Sequence, residues 1–344
     1  MQVDEQRQLV GVVGSGSFGM AIANLLAENV DVLLYVRREE VLEEIQQRSG
    51  RYAVLAPNIT PTSDLKHLAD SCQLIFPIVP SQAFRSMMRN LGPHLNPTHF
   101  LIHGTKGLDL STLPEGQEIS PEYIKTMSQV IAEESVVCRI GCLSGPNLSS
   151  EIMEGQPAAT VIASPFTEVI KAGQQVLKSA KFQVYGNHAI IGAELAGALK
   201  NIIALAAGIL DGKGLGKNIW ALLITRGLSE MIHIGRAVGT DIKPFLGVAG
   251  IGDLVATASS TKSRNYKTGY RLAKGESLDD IIADMNEVVE GVRTLETVKA
   301  LTDHLHITTP IIEIVYRAFF KNMSIDNAIK VLMTYPYAVD VDYI

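Results

Sequence analysis

The hydrophobic positions change character partway along the chain. Up to about residue 186, short apolar runs alternate with segments rich in helix formers. Leu9–Val13, Val32–Val36, Gln73–Val79, Phe100–His103, Val137–Leu143, Thr160–Ala163 and Phe182–Tyr185 read as strands, several of them apolar without a break. Met20–Ala27 and Glu39–Gln47 read as helices between them. Ser120-Pro121-Glu122 announces another, with an N-cap residue, a proline at the first helical position and an acid in the first turn. Strands alternating with helices, and apolar on both faces, predict a mainly parallel sheet covered on both sides. Beyond about Asn187 the strand signals fade. Asn218–Val238, Ser263–Ala273, Leu278–Met285, Gly291–His304, Pro310–Lys321 and Ser324–Met333 read as helices, and Ser277-Leu278-Asp279-Asp280 resembles a capping box with Asp for Glu. The expected fold class is therefore α/β in residues 1–186, followed by an all-α domain in 187–344.

The longest apolar stretch, Ala189–Asp211, opens that second half and carries Lys200 and Asn201 at its centre. An ammonium is costly to bury, so this lysine either snorkels to the surface or is kept for chemistry. A membrane span is a poor reading, because Glu194 and Lys200 would each cost about 2.5–3.5 kcal/mol at mid-bilayer. Glu194 is also too far around a helix to pair with Lys200, roughly 120° away. The positions that face the lysine are Ala196, Gly197, Ile203 and Ala204, so its partner must come from another element. The turn Ala249-Gly250-Ile251-Gly252-Asp253 offers one carboxylate, and Asp253 either steadies Lys200 or merely caps the next segment.

Composition narrows the function. The 344 residues are 47% hydrophobic and 19% charged, with a formal net charge of −6. This is an ordinary globular balance without the basic tract that tracks nucleic acid. Three cysteines suit a reducing compartment better than a disulfide framework. The polar start MQVDEQRQ does not read as a signal peptide, and a cytoplasmic protein is expected. The eight histidines are scattered without metal-ligand spacing, so no metal is expected.

Chemistry enters with Gly14-Ser15-Gly16-Ser17-Phe18-Gly19, directly after the first strand and opening the first helix. In that context Gly14, Gly16 and Gly19 fit a dinucleotide turn: a tight bend, a close backbone approach to pyrophosphate, and helix-to-strand packing. A purely structural turn is the alternative. The second strand ends at Val36-Arg37-Arg38, with no acid for a ribose 2′-hydroxyl. Arg37 offers donors to a 2′-phosphate, which favours NADP(H) slightly over NAD(H), unless the arginines are only a solvated helix start. Pro80-Ser81-Gln82, Thr105-Lys106-Gly107 and Ser144-Gly145-Pro146-Asn147 follow later strands at the edge where such sheets bind ligands. Lys106 is either a donor to an anionic or carbonyl oxygen or a surface residue beside a turn. Ser263-Arg264-Asn265 at a helix start is either a phosphate clamp or an exposed arginine with its neighbours.

Together these residues resemble the bacterial, NAD(P)-dependent family of glycerol-3-phosphate dehydrogenases. The resemblance is carried by GSGSFG (14–19), VPSQ (79–82), GTKG (104–107), LSGPN (143–147), GALKN (197–201), DGKGLGKN (211–218), AGIGDLVAT (249–257), SRN (263–265) and VVEG (288–291), in order over nearly the whole chain. It implies a Rossmann domain before a helical domain, and interconversion of sn-glycerol 3-phosphate and dihydroxyacetone phosphate to feed phospholipid synthesis. It makes Lys200 the proton acceptor, assisted by Lys106 and Asp253. Lys106, Gly145, Asn147, Lys200, Asn201, Asp253, Ser263, Arg264 and Asn265 then surround the phosphorylated substrate. Gly14, Gly16, Ser17, Phe18, Gly19, Arg37, Lys106, Ser149, Arg264, Val288 and Glu290 fall at cofactor positions, and a homodimer is the family's habit. Two residues depart from the pattern: Ser149 stands where many relatives have Ala, and Phe18 where Trp or Tyr is common.

Three competing readings are weaker. A β-hydroxyacid or ketopantoate-type dehydrogenase also pairs a Rossmann domain with a helical domain and a lysine, but the SRN clamp and GKGLGKN loop speak against it. A cofactor-sensing protein without catalysis leaves Lys106, Lys200 and Asp253 unexplained. The loop at 212–217 lacks the GxxxxGK[ST] spacing of a nucleotide triphosphatase.

Overall fold

The computed structural model describes residues 7–285, 289–336 and 339. The chain divides into two compact units. One runs to Thr105 and takes in Met127–Ile190; the other comprises Lys106–Thr126 and the chain from Ile191 onward.

The first unit is built on strands β1 Leu9–Val13, β2 Asp31–Tyr35, β3 Ile59–Thr62, β4 Leu74–Pro77, β5 Phe100–His103, β6 Arg139–Ser144, β7 Ala158–Ala163 and β8 Phe182–Asn187. They form one sheet in the order β3-β2-β1-β4-β5-β6-β7-β8. All pairings are parallel except β6 with β7. Helices α1 Ser17–Ala27, α2 Glu39–Gln46, α3 Leu65–Ser71, α4 Ser81–Leu91, α5 Met127–Glu134, α6 Ser149–Met153 and α7 Thr167–Leu177 complete it. The uninterrupted apolar strands are explained by two cores. Val10, Val12 and Phe76 pack with Ile22 and Leu26 of α1, while Val13, Ile75 and Leu101 pack with Phe84, Met88 and Ile131 of α4 and α5. The strand order turns back between β1 and β4, the switch point at which such sheets bind ligands.

Strand β3 has no counterpart in the sequence reading. Its core, Thr60-Pro61-Thr62, is neither apolar nor alternating, and a proline lowers strand expectation. It survives because β3 is the sheet edge, where Pro61 need not donate to a neighbour. The expected helix start at Ser120 is corrected too. Ser120 makes no side-chain cap, and Pro121–Tyr123 forms only a 3₁₀ turn. The antiparallel bridge of Lys125 to Asp109 holds the following backbone extended, and α5 starts at Met127. That bridge lies within Lys106–Thr126, which belongs to the second unit. The segment Lys106–Thr126 thus groups with the chain from Ile191 onward.

In the second unit the helices are α8 Ile190–Gly212, α9 Lys217–Ala237, α10 Lys243–Leu246, α11 Asp253–Ala258, α12 Arg264–Ala273, α13 Leu278–Asp284, α14 Glu290–His304, α15 Pro310–Phe320 and α16 Ile325–Thr334, with a π-helical turn at Val248–Gly252. Helix α8 is long and apolar enough to cross a membrane, but 89% of its most apolar window is buried inside the protein. It is a core helix. Its glycines let neighbours approach its backbone: a Cβ on Gly208 would stand 2.0 Å from the Tyr266 carbonyl oxygen, and one on Gly269 of α12 would stand 1.9 Å from that of Leu205.

Candidate active site

Lys200 is buried in the middle of α8, with 5% of its surface exposed. Its Nζ donates to Asp253 Oδ1 at 2.8 Å and also to the Thr257 hydroxyl. Lys106, from the segment after β5, donates to the other carboxylate oxygen, Oδ2, at 2.5 Å. Thr257 closes the group by donating to Asp253 Oδ1 at 3.1 Å. One buried carboxylate thus serves two ammonium groups.

Local structure explains why Asp253 stands there. Gly250, in the π-helical turn, lies against Phe245; a Cβ on it would meet the Phe245 carbonyl oxygen at 2.2 Å. Asp253 follows directly on that turn, within the continuous helical stretch Val248–Ala258. Thr257 is one helical turn further on, on the same face.

The charges act in opposite senses. Burial pushes the Lys200 pKa down to about 8, against the pull of Asp253 upward; Lys106 and Arg264 add to the lowering. Burial alone would raise the Asp253 pKa, but Lys106 and Lys200 outweigh it and hold the carboxyl below its ordinary value. The arrangement is a lysine able to gain or lose a proton near neutrality beside a carboxylate that stays ionised.

A second polar line lies in the same unit. Asn201 and Asn265 are buried, and Asn265 Nδ2 donates to Asn201 Oδ1 at 2.9 Å. Asn265 Oδ1 accepts from the backbone N–H of Gly291 at 2.9 Å, in the first turn of α14. Ser263 caps α12, its hydroxyl accepting from the Tyr266 N–H at 3.3 Å, and Arg264 is the first, exposed residue of that helix.

In the first unit, Gly14 takes a φ of +123° and packs against β4's exit; a Cβ there would meet the Ile78 carbonyl oxygen at 2.2 Å. A Cβ on Gly19 would meet the Gly14 carbonyl oxygen at 1.9 Å, whereas one on Gly16 would meet nothing within 4 Å. The first and third glycines are filled by the protein's own packing, and the middle one is open. The N-cap residue Gly16 has no side chain to cap α1, and no acid lies in its first turn, so its amides can face an anion. This fits a dinucleotide pyrophosphate. Phe18 lies against Gly104 and Ile78 lies nearby, and Arg37 is exposed just beyond β2.

Two family models match consecutive parts of the chain. That of the NAD-dependent glycerol-3-phosphate dehydrogenase N-terminus matches residues 9–170, and that of the C-terminus matches residues 189–330. The chain belongs to the NAD(P)-dependent glycerol-3-phosphate dehydrogenase family, and so to the oxidoreductases. A family member from Azotobacter vinelandii is 39% identical over 344 residues, covering 98% of each chain. One from Staphylococcus aureus is 37% identical over 335 residues, covering 94% of this chain and 97% of its own. The crystal structure of the Coxiella burnetii glycerol-3-phosphate dehydrogenase matches with a TM-score of 0.85 at 30% identity, over 95% of this chain and 99% of that one. A ketopantoate reductase from Ralstonia eutropha shares the fold alone, with a TM-score of 0.56 at 16% identity over 95% of this chain and 100% of that one.

Within this family fold, Lys106, Lys200, Asn201, Asp253, Ser263, Arg264, Asn265 and Glu290 all fall in the second unit, and Gly14, Gly16, Ser17, Phe18, Gly19, Arg37, Gly145, Asn147 and Ser149 in the first. Val288 lies outside the described residues. Gly145 has a φ of +140° at the end of β6. Asn147 donates from Nδ2 to Thr160 at 2.9 Å, and its buried Oδ1 has no hydrogen-bond partner among the described residues. Ser149 is the first residue of α6 and Glu290 the first of α14. Two site residues escaped the sequence reading, Thr257 and Gly291. A threonine inside AGIGDLVAT carries no mark of its own, although its i+4 spacing from Asp253 is a usable signal. Gly291 reads as a helix start, and its contact is made by backbone.

Proposed function

We propose that the protein interconverts sn-glycerol 3-phosphate and dihydroxyacetone phosphate, with Lys200 as proton acceptor and donor. The observation that carries this reading is the buried group Lys106–Asp253–Lys200–Thr257. Bound NAD(P) supplies the hydride acceptor in oxidation, and its reduced form the donor. As the C2 hydrogen leaves with its electron pair, neutral Lys200 takes the proton of the C2 hydroxyl and the carbon–oxygen double bond forms. In reduction the Lys200 ammonium returns that proton to the developing alkoxide. Asp253 keeps its charge throughout and holds both lysines in place, while Lys106 and Asn201 supply further donors to the reacting oxygen. Arg264 and the first turn of α12 hold the phosphate. The glycine turn before α1 takes the dinucleotide pyrophosphate, with Ser17, Phe18, Ser149 and Glu290 as further cofactor positions.

Arg37 gives NADPH a slight preference, because its guanidinium can pair with a 2′-phosphate. We place the protein in the cytoplasm as a homodimer that supplies glycerophospholipid synthesis. The test is consumption of NADPH and of NADH with dihydroxyacetone phosphate, beside a panel of 2-oxo acids that includes ketopantoate. Turnover confined to dihydroxyacetone phosphate supports the reading; turnover of a 2-oxo acid alone would refute it. Arg37→Asp should lower the NADPH-to-NADH ratio of kcat/KM by about tenfold or more, the effect of losing one charged hydrogen bond. An unchanged ratio removes the assigned role of Arg37.

A further inference from the structure

The glycine-rich stretch Asp211–Asn218 leads from the helix of Lys200 into α9 and takes no part in the chemistry assigned above. Lys217 opens α9, with its Nζ 5.7 Å from the centroid of the Trp220 ring. Trp220 is half-buried against the core that holds Leu254 and Ala258 of α11, and its indole N–H donates to the Ala258 carbonyl at 3.3 Å. That carbonyl is the last of the helical stretch Val248–Ala258, and the last carbonyls of a helix have no partner within it. Thr257 is the residue before, and Asp253 stands one turn earlier. Helix α9 is itself seated on α8: a Cβ on Gly227 would stand 2.8 Å from the Ile203 side chain. The stretch that carries Asp253 and Thr257 is thus held on one face by Lys200 of α8 and at its end by Trp220 of α9.

We propose that Trp220 is a positioning residue: its indole N–H anchors the end of α11 and so keeps Thr257 and Asp253 in register with Lys200. The inference deepens the dehydrogenase reading above and rests on it. A helix frays from its last turn, and Thr257 stands in that turn. A tether biases the register by no more than its own free energy, so one neutral hydrogen bond is worth about three- to tenfold in the share of correctly placed helix. The charged groups that face Lys200 are Asp253, Lys106 and Arg264. Of these only Asp253 lies on α11, so loosening α11 weakens the one neighbour that holds the Lys200 proton.

Packing alone is the competing role for a half-buried tryptophan, and two substitutions separate it from anchoring. Trp220→Phe keeps an aromatic ring against the core but removes the N–H. Trp220→His does the reverse: its five-membered ring superposes on that of indole with Nε2 in the place of Nε1, and above about pH 7 the imidazole is neutral and carries one N–H. Expected for Trp220→Phe is a fall in kcat with dihydroxyacetone phosphate of about three- to tenfold. Its KM should change little, because α12 is untouched, and the inflection in the pH profile of glycerol 3-phosphate oxidation should move to lower pH. Trp220→His should keep kcat and inflection close to wild type, although it loses more Tm through its smaller apolar surface. Trp220→His losing more kcat than Trp220→Phe, or Trp220→Phe with wild-type kcat and inflection and only a lower Tm, would leave packing as the whole role and overturn the proposal. Wild-type protein inactive on dihydroxyacetone phosphate would instead remove the functional reading beneath it.

Discussion

At the scale of single residues, Lys200 is governed by two opposed neighbours, and each can be removed. With its pKa near 8, oxidation of glycerol 3-phosphate needs the neutral amine. Its kcat/KM should rise with pH and level off above about 8; reduction needs the ammonium and should fall over the same range. Asp253 raises the lysine's pKa and Lys106 lowers it. Asp253→Asn should therefore move the inflection to lower pH and Lys106→Met to higher pH, both read from pH profiles in the two directions. An inflection that stays put in both variants would contradict the assignment. Asp253→Asn should also destabilise the fold by about 3–5 kcal/mol, because it takes the carboxylate away from the buried Lys200 ammonium. Lys200 was legible from the sequence because a charge in an apolar helix is conspicuous. Asp253 was legible because no acid in α8 itself could face the lysine. What pairs with what across 53 or 147 positions follows only from the fold.

At the scale of elements, the sequence marked helices best where caps and period agree. Ser263, Ser277 and Ser324 each cap the helix that follows, as their positions suggest. It failed at β3, where edge position excuses a proline, and at Ser120, where a bridge overrules a good start signal. Close packing of α8 on α12 was invisible, because a helical glycine looks the same whether or not a backbone lies against it. Gly208→Ala should cost about 3 kcal/mol or more, since the Tyr266 carbonyl cannot yield as a side chain would. A Tm within a degree of wild type would refute that. Another hidden joint is Glu230 of α9, which accepts from the Ile311 and Ile312 N–H groups at 2.6 and 3.1 Å and so caps α15. Burial pushes its pKa up to about 8, against those two donors. Its folded value lies above its unfolded one, so its contribution is greatest below the ordinary carboxylate range and is lost as pH rises through 8. Between pH 6 and 9 wild type should lose more Tm than Glu230→Gln; equal losses would contradict this.

At the scale of the whole molecule, the chain is two units that divide the labour by chemistry. The first carries a glycine turn whose outer glycines are packed and whose middle one is open, and the second carries the paired lysines. The family was readable because many short motifs stand in one order, each weak alone. The return of Lys106–Thr126 to the second unit was not, because a segment's allegiance is set by contacts distant in sequence. That return puts Lys106 in the same unit as Asp253. The central claim is that Lys200 moves the proton, and Lys200→Met tests it most directly. NADPH consumption with dihydroxyacetone phosphate should fall by about 10²–10⁴-fold, while NADPH still raises the Tm as it does for wild type. A variant that keeps turnover within a few-fold of wild type would contradict the account.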